Sequence, residues 1–352
     1  MSSIPKVSVM ILTYNHEKFI GQAIEGILNQ KTNFSIEINV VEDCSTDGTR
    51  DVIRKYHEKH PDKINLYFNK VNVGSTGGTM QMVTHEGFKT LKGQYIAILD
   101  GDDYWSTPDK LQKQVDFLDA NPEYAACGHN VIKIYDDNSR EPHRFLYWEG
   151  MKEVVTFQDL VAMTSFFHIS TLLYRNVLRG IPNKHFADRH SCEIYITMVH
   201  SLYGPIRRFD EDMSVYRAHA GGGFSTMPVL KGRMFNLEGL RRYNRWFHYK
   251  YCRSFSKTIV RLIEDLFLQI ELGNCQKMSN WQKFKYTNLL KFYSAVLWGF
   301  DFYDTIAIWY NETVVFLNKL RSPTRVVRAI KVYRYFKPPF PRSLGQRGPE
   351  KR

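Results

Sequence analysis

Asp100, Asp102 and Asp103 place three carboxylates within four residues. Like charges held this close repel one another unless something offsets them. A hard divalent cation, Mg²⁺ or Mn²⁺, is the usual counterpart; it accepts a few carboxylates and fills its remaining positions with phosphate oxygens. Such an ion also neutralises the charge that builds on a departing diphosphate. The competing explanation is an acidic turn that caps a helix after Ser106-Thr107-Pro108. Two further polar clusters sit after apolar runs, Thr13-Tyr14-Asn15 and Glu42-Asp43-Cys44-Ser45-Thr46-Asp47.

The elements that must position these clusters follow from periodicity. Val7–Leu12, Ile36–Val41, Ile64–Phe68 and Tyr95–Leu99 are short apolar runs of strand length. Between them, Glu17–Leu28 repeats apolar residues at helical spacing, Thr49–His60 is predicted as a helix, and a Gly-rich loop (Gly74, Gly77, Gly78) leads into a helix ending near Leu91. Alternating strands and helices imply βαβ units and a mostly parallel sheet. Ligands of such sheets bind beyond the carboxyl ends of the strands, where all three polar clusters fall. The pattern is that of a nucleotide site. GxGxxG spacing and a Walker A sequence are both missing, so neither a dinucleotide fingerprint nor a P-loop is indicated. After residue 225 the alternation changes, and Leu230–Phe247, Phe255–Leu272 and Trp281–Trp298 are predicted helices.

Four stretches, Val7–Asn15, Val40–Thr49 (VVEDCSTDGT), Tyr95–Trp105 (YIAILDGDDYW) and Met213–His219 (MSVYRAH), make the chain resemble the family 2 glycosyltransferases over roughly residues 5–225. The resemblance implies a GT-A fold, α/β with a mostly parallel sheet flanked by helices, and a helical C-terminal extension. It implies transfer of a sugar from a nucleotide-diphosphate sugar to an acceptor hydroxyl, metal-dependent and inverting. Thr13, Tyr14 and Asn15 match the strand end lining the nucleobase and ribose pocket. Asp43 matches the residue that bonds the base, which favours a UDP-sugar because a carboxylate can accept the imide N–H of uracil. Glu42 stands where the family often has Asp. Asp100 and Asp102 match the DxD motif, with Asp103 a second ligand or a helix cap. His219 matches a histidine near the donor diphosphate and completes the metal shell, and Arg217 is a candidate for holding phosphate. Glu193, after Cys192, stands at the position of the catalytic base, with Asp188 as runner-up. The loop Asn72–Gly78 departs from the family, which often has Asn or Arg near its end.

Domain boundaries are expected at 1–225 for the catalytic domain, 226–336 for a basic, aromatic-rich helical region and 337–352 for a disordered tail. The net charge of +12 is uneven. Residues 1–225 carry 24 Lys and Arg against 28 Asp and Glu, a net of −4, and residues 226–352 carry 24 against 8, a net of +16. The basic segment, with its interleaved Trp and Tyr, suits an anionic membrane surface. No RNP-like or zinc-finger pattern accompanies it, so nucleic acid is not an expected partner. Phe292–Leu317 is apolar but broken by Asp301, Asp304, Asn311 and Glu312, too polar for a spanning helix. Five scattered cysteines without a CxxC pair and an N-terminus without signal-peptide layout fit a reducing compartment. A cytoplasmic enzyme, peripheral on the inner membrane and acting on a carbohydrate or lipid-linked acceptor in polysaccharide or glycolipid synthesis, is the resulting expectation. A sugar nucleotidyltransferase would share the sheet but usually carries a Gly-rich signature with Lys or Arg near its start, which residues 1–30 lack. A non-catalytic protein binding nucleotide-sugar or polyanions would have little use for an intact acidic cluster.

Overall fold

The computed structural model describes residues 4–74, 90–163, 166–177, 193–222, 227–273 and 278–297. The chain divides into two compact units, the first ending at Met278 and the second beginning at Ser279. Within the first, apolar runs bounded by polar residues form β1 (Val7–Thr13), β2 (Ile36–Glu42), β3 (Ile64–Phe68) and β4 (Tyr95–Asp100). Every residue of β1 is buried, which is why it reads as a continuous apolar run rather than an alternating one. The rest of the sheet consists of β5 (Tyr104–Trp105), β6 (Ala126–Tyr135), β7 (His143–Phe145), β8 (Val154–Val155), β9 (Leu173–Arg175) and β10 (Ile206–Ala218).

Along the sheet the order is β3-β2-β1-β4-β9-β6-β10-β5, with β7 paired to β6 and β8 to β10. The first four strands are mutually parallel, β9 runs antiparallel between β4 and β6, and β6 and β10 are parallel to each other. Because β1 is flanked by β2 on one side and β4 on the other, the strand order reverses at β1, and the crevice opens at its carboxyl end.

Helix α1 (Ile20–Leu28) buries Ile20, Ala23, Ile24 and Ile27, one stripe at the 3.6-residue period, and α2 (Thr49–Lys59) follows β2. Helix α3 (Lys110–Ala120) covers the sheet through Leu111, Val115 and Leu118. Helices α4 (Phe157–Met163), α5 (Glu193–His200), α6 (Val229–Trp246) and α7 (Cys252–Glu271) complete the unit. Thus α6 and α7 belong to the same compact unit as the sheet, which extends past residue 225. The Thr258 hydroxyl of α7 donates to the Val161 carbonyl of α4 at 2.7 Å, and Tyr195 of α5 stacks on Tyr243 of α6 at 5.5 Å. Helix α6 therefore braces α5, the helix that Glu193 opens, and α7 braces α4. The described part of the second unit is one helix, α8 (Asn280–Leu297). Among the described residues no helix is long and apolar enough to cross a membrane. The aromatic stretch beyond Leu297 and the tail 337–352 lie outside the described residues.

Under the sheet, Lys110 at the start of α3 is fully buried. Its Nζ donates to Gln114 Oε1 at 2.7 Å and lies 4.1 Å from the centre of the Trp105 ring. Burial pushes this ammonium down to about 7, against a small opposing pull from Cys127. The unfolded chain keeps the same proton to about pH 10.4. Between those values the unfolded state binds more protons, so this group makes stability rise with pH. From pH 7 to pH 9 the native chain should gain about 2 kcal/mol that Lys110→Met does not gain, measured by urea unfolding. Parallel pH profiles for the two proteins would contradict this.

Candidate active site

The register of the sheet brings the sequence clusters together. Thr13 pairs with Glu42 across β1 and β2, and Leu12 pairs with Asp100 across β1 and β4. The turns after all three strands therefore meet at one edge. They are laced to each other. The Asn15 amide donates to Ser45 Oγ at 2.9 Å, while Asn15 Oδ1 accepts the Thr46 amide at 2.8 Å. The Glu17 amide donates to Asp47 Oδ2 at 3.1 Å, and Glu17 Oε2 accepts the Gly48 amide at 3.0 Å. Asn15 (φ 55°) and Cys44 (φ 62°) both hold left-handed backbone that non-glycine residues rarely adopt, one after each strand. The lacing holds this strained pair in place.

Several residues of the expected nucleotide set are engaged within the protein. Glu42 is fully buried and bonded to Arg50 and to the Ser45 amide. Asp43, also buried, accepts from Asn69 Nδ2 at 2.8 Å, the Val73 amide at 3.0 Å and the Gly74 amide at 2.7 Å. A carboxylate has about four acceptor positions, so one remains, on Oδ2. Tyr14 is exposed, and the buried Thr13 hydroxyl has no hydrogen-bond partner.

The acidic turn is folded back against the end of β10. Arg217 donates its backbone amide to Asp103 Oδ1 at 3.0 Å and its Nε to the Asp102 carbonyl at 3.2 Å. It also meets Gln22 Oε1 at 2.6 Å, Asp136 Oδ1 at 3.6 Å, the Phe19 ring at 4.8 Å and the Tyr104 ring at 5.6 Å. Arg217 is thus a clamp on the turn. Asp103 does not cap the next helix, which starts at Lys110; its carboxyl lies under the turn, 1% exposed, with Oδ2 unbonded. Burial, together with the nearby charges of Asp102 and Asp100, raises the Asp103 carboxyl well above the usual range. His168 Nδ1 lies 3.7 Å from that oxygen, and burial lowers its imidazole to about 4. Burial thus disfavours the charged form of both groups.

Asp102 behaves in the opposite way. Its Oδ2 meets His219 Nε2 at 3.0 Å and His16 Nε2 at 3.6 Å. Burial alone would raise Asp102, yet the hydrogen bond from His219 and the charge of His16 outweigh it and hold the carboxyl low. Burial in turn lowers His16. One ligand atom from each of His16, Asp102 and His219 lies within 4.8 Å of the others, close enough to hold a metal ion. Mixed imidazole and carboxylate donors suit a first-row divalent metal, and the carboxylate is the ligand type that Mn²⁺ takes. The unbonded Asp103 Oδ2 beneath is a further oxygen of the right type.

His16 is absent from the sequence-based set. Its signal was its place, directly after Thr13-Tyr14-Asn15 at the mouth of β1, but its convergence with Asp102 and His219 exists only in three dimensions. Of the base candidates, Glu193 is the first residue of α5, and Asp188 lies outside the described residues, as does the loop segment Ser75–Gly78.

With this geometry in view, the sequence profile of glycosyl transferase family 2 matches residues 8–180. An uncharacterised protein of Mycobacterium tuberculosis is 31% identical over 223 residues, covering 61% of this chain and 60% of that protein. An uncharacterised glycosyltransferase of Nostoc is 32% identical over 223 residues, covering 61% of this chain and 65% of that protein. The chain thus spans under two thirds of the length of either relative. The poly(ribitol-phosphate) beta-N-acetylglucosaminyltransferase TarS of Staphylococcus aureus is 29% identical over 49% of this chain and 28% of its own. The crystal structure of its residues 1–349 with UDP-GlcNAc superposes with a TM-score of 0.58 at 19% identity, covering 83% of this chain and 81% of that one. At that identity the likeness is one of fold.

Proposed function

Residues 8–180 match glycosyl transferase family 2 and the fold is like that of TarS, and from that premise we propose that the chain is a member with the GT-A fold that transfers a sugar from a nucleotide-diphosphate sugar to an acceptor hydroxyl, with inversion. The observation that carries the reading is the convergence of His16, Asp102 and His219 at the strand edge where the order reverses. When bound there, Mg²⁺ or Mn²⁺ supplies charge neutralisation to the leaving diphosphate. Asp102, His16 and His219 would hold the ion.

The laced turns after β1 and β2 hold the nucleotide, with Tyr14 exposed at their rim and the unpartnered Thr13 hydroxyl beneath. Asp43 fixes the loop at Gly74 and keeps one acceptor position on Oδ2, the one an N3–H of uracil requires; this supports a UDP-sugar. Asp100, at the end of β4, is the residue assigned to the ribose. Arg217 sets the height of the acidic turn. Glu193 takes the proton of the acceptor hydroxyl as its oxygen attacks the anomeric carbon in line, and no covalent enzyme intermediate is needed. Positioning and charge stabilisation supply most of the rate. A polyol-phosphate polymer is the acceptor class that the name of TarS supports.

The test is a panel of UDP-, GDP- and dTDP-sugars incubated with the full chain, Mn²⁺ and a mixed acceptor extract. Release of nucleoside diphosphate from one donor, stopped by EDTA, is the expected result. Release of pyrophosphate from a nucleoside triphosphate and a sugar phosphate would replace this reading with nucleotidyl transfer.

A further inference from the structure

Next to the acidic turn stands a cation that the transfer chemistry above does not use. Lys133 lies in β6, where the ladder sets it opposite Tyr216 of β10 and His143 of β7. Side chains two residues apart on a strand share a face, so Lys133, Tyr135, His143, Phe145 and Tyr216 all project to the same side of the sheet. Lys133 Nζ is 5.2 Å from the centre of the Tyr135 ring, 4.8 Å from that of Phe145 and 5.1 Å from that of Tyr216. All three lie within the range of about 6 Å for cation–π attraction. All four residues are half-buried, so the cluster reaches the surface. Among the described residues no carboxylate oxygen comes within 4.0 Å of Lys133, and the neighbouring Asp136 is paired with Arg217 at 3.6 Å. The ammonium is therefore held by ring faces, with its hydrogen-bond donors left for something else.

The cluster joins the reaction centre directly. Tyr216 packs on His168 at 4.7 Å, and His168 Nδ1 is 3.7 Å from Asp103 Oδ2. Tyr216 also precedes Arg217, the clamp on the acidic turn. A sugar ring offers an apolar C–H face to an aromatic side chain, while an oxyanion takes a charge-assisted hydrogen bond from an ammonium. An anionic acceptor moving toward Asp100–Asp103 would meet carboxylates, and a fixed cation beside them offsets that repulsion.

We propose that Lys133, framed by Tyr135, Phe145 and Tyr216, is an acceptor subsite that binds a carboxylate or phosphate carried by the acceptor saccharide. The proposal rests on the glycosyl-transfer reading. It makes Lys133 a specificity residue: it selects charged over neutral acceptors and leaves donor binding alone.

The experiment titrates the full chain, saturated with Mn²⁺ and UDP, by calorimetry. Two matched pairs serve as probes: trigalacturonic acid with its methyl ester, and mannose 6-phosphate with mannose. At least one anionic probe should bind about tenfold more tightly than its neutral partner, and the pair that responds separates carboxylate from phosphate. Lys133→Met should erase the preference and Lys133→Arg should retain it, both with native affinity for UDP. Equal affinity within both pairs, or a preference that survives Lys133→Met, overturns the subsite. A native chain that fails to bind UDP with Mn²⁺ would instead sink the transfer reading on which the subsite depends.

Discussion

Replacing Asp102 with Asn lowers the turnover of donor by about a thousandfold or more while leaving the fold intact. The side chain keeps its shape but loses the charge that draws His16 and His219 to Oδ2. The scaffold contact of residue 102 is made by its backbone carbonyl, which accepts from Arg217 Nε, and Asn keeps it. Removing one of three crowded carboxylates also relieves Asp103, whose carboxyl is raised partly by the Asp102 charge. The variant should therefore melt no lower than the native chain. Nucleoside diphosphate release and thermal unfolding, measured on the same preparation, check both halves. A variant that turns over like the native protein would remove the acidic turn from the chemistry.

The second large effect is expected at Glu193. Its position opens α5, which Tyr195 braces against Tyr243 and Trp246 of α6. Changing Glu193 to Gln should lower kcat by about a hundredfold or more at unchanged KM for the donor, the pattern of a lost general base. Steady-state kinetics with the donor varied at saturating acceptor gives both constants. Native turnover in Glu193→Gln, combined with loss in Asp188→Asn, would move the base to Asp188.

The parallel half of the fold was legible because its signals are local. Strands buried on both faces read as apolar runs, α1 shows its stripe at Ile20, Ala23, Ile24 and Ile27, and polar residues mark each strand end. The three-residue β9 and the placement of β10 between β6 and β5 depend on pairing partners far away in sequence, and no short-range pattern announces them. The same division runs through the site. Asp100, Asp102 and Asp103 announce themselves by crowding. Their fates diverge for tertiary reasons: Asp103 goes under the turn beside His168, and Asp102 goes to the two imidazoles. Arg217 announces only a cation near the site; that it reaches the turn and Gln22 follows from β10 ending directly against Asp102. His16 and His219 lie on either side of an acidic turn about a hundred residues from each, so only the sheet register shows that they share a ligand-sized space. Lys133 is an ordinary strand lysine until β7 and β10 surround it with rings.

The central claim is that His16, Asp102 and His219 form one divalent-metal site at the mouth of β1. Electron paramagnetic resonance of free Mn²⁺, titrated into the full chain with and without UDP, reads that site without requiring the acceptor. The native chain should take up one Mn²⁺, more tightly when UDP is present. His16→Gln and His219→Gln should each weaken uptake by about tenfold or more, and Asp102→Asn should weaken it further. Uptake in His16→Gln equal to that of the native chain, or no Mn²⁺ taken up by the native chain even with UDP, would contradict the account.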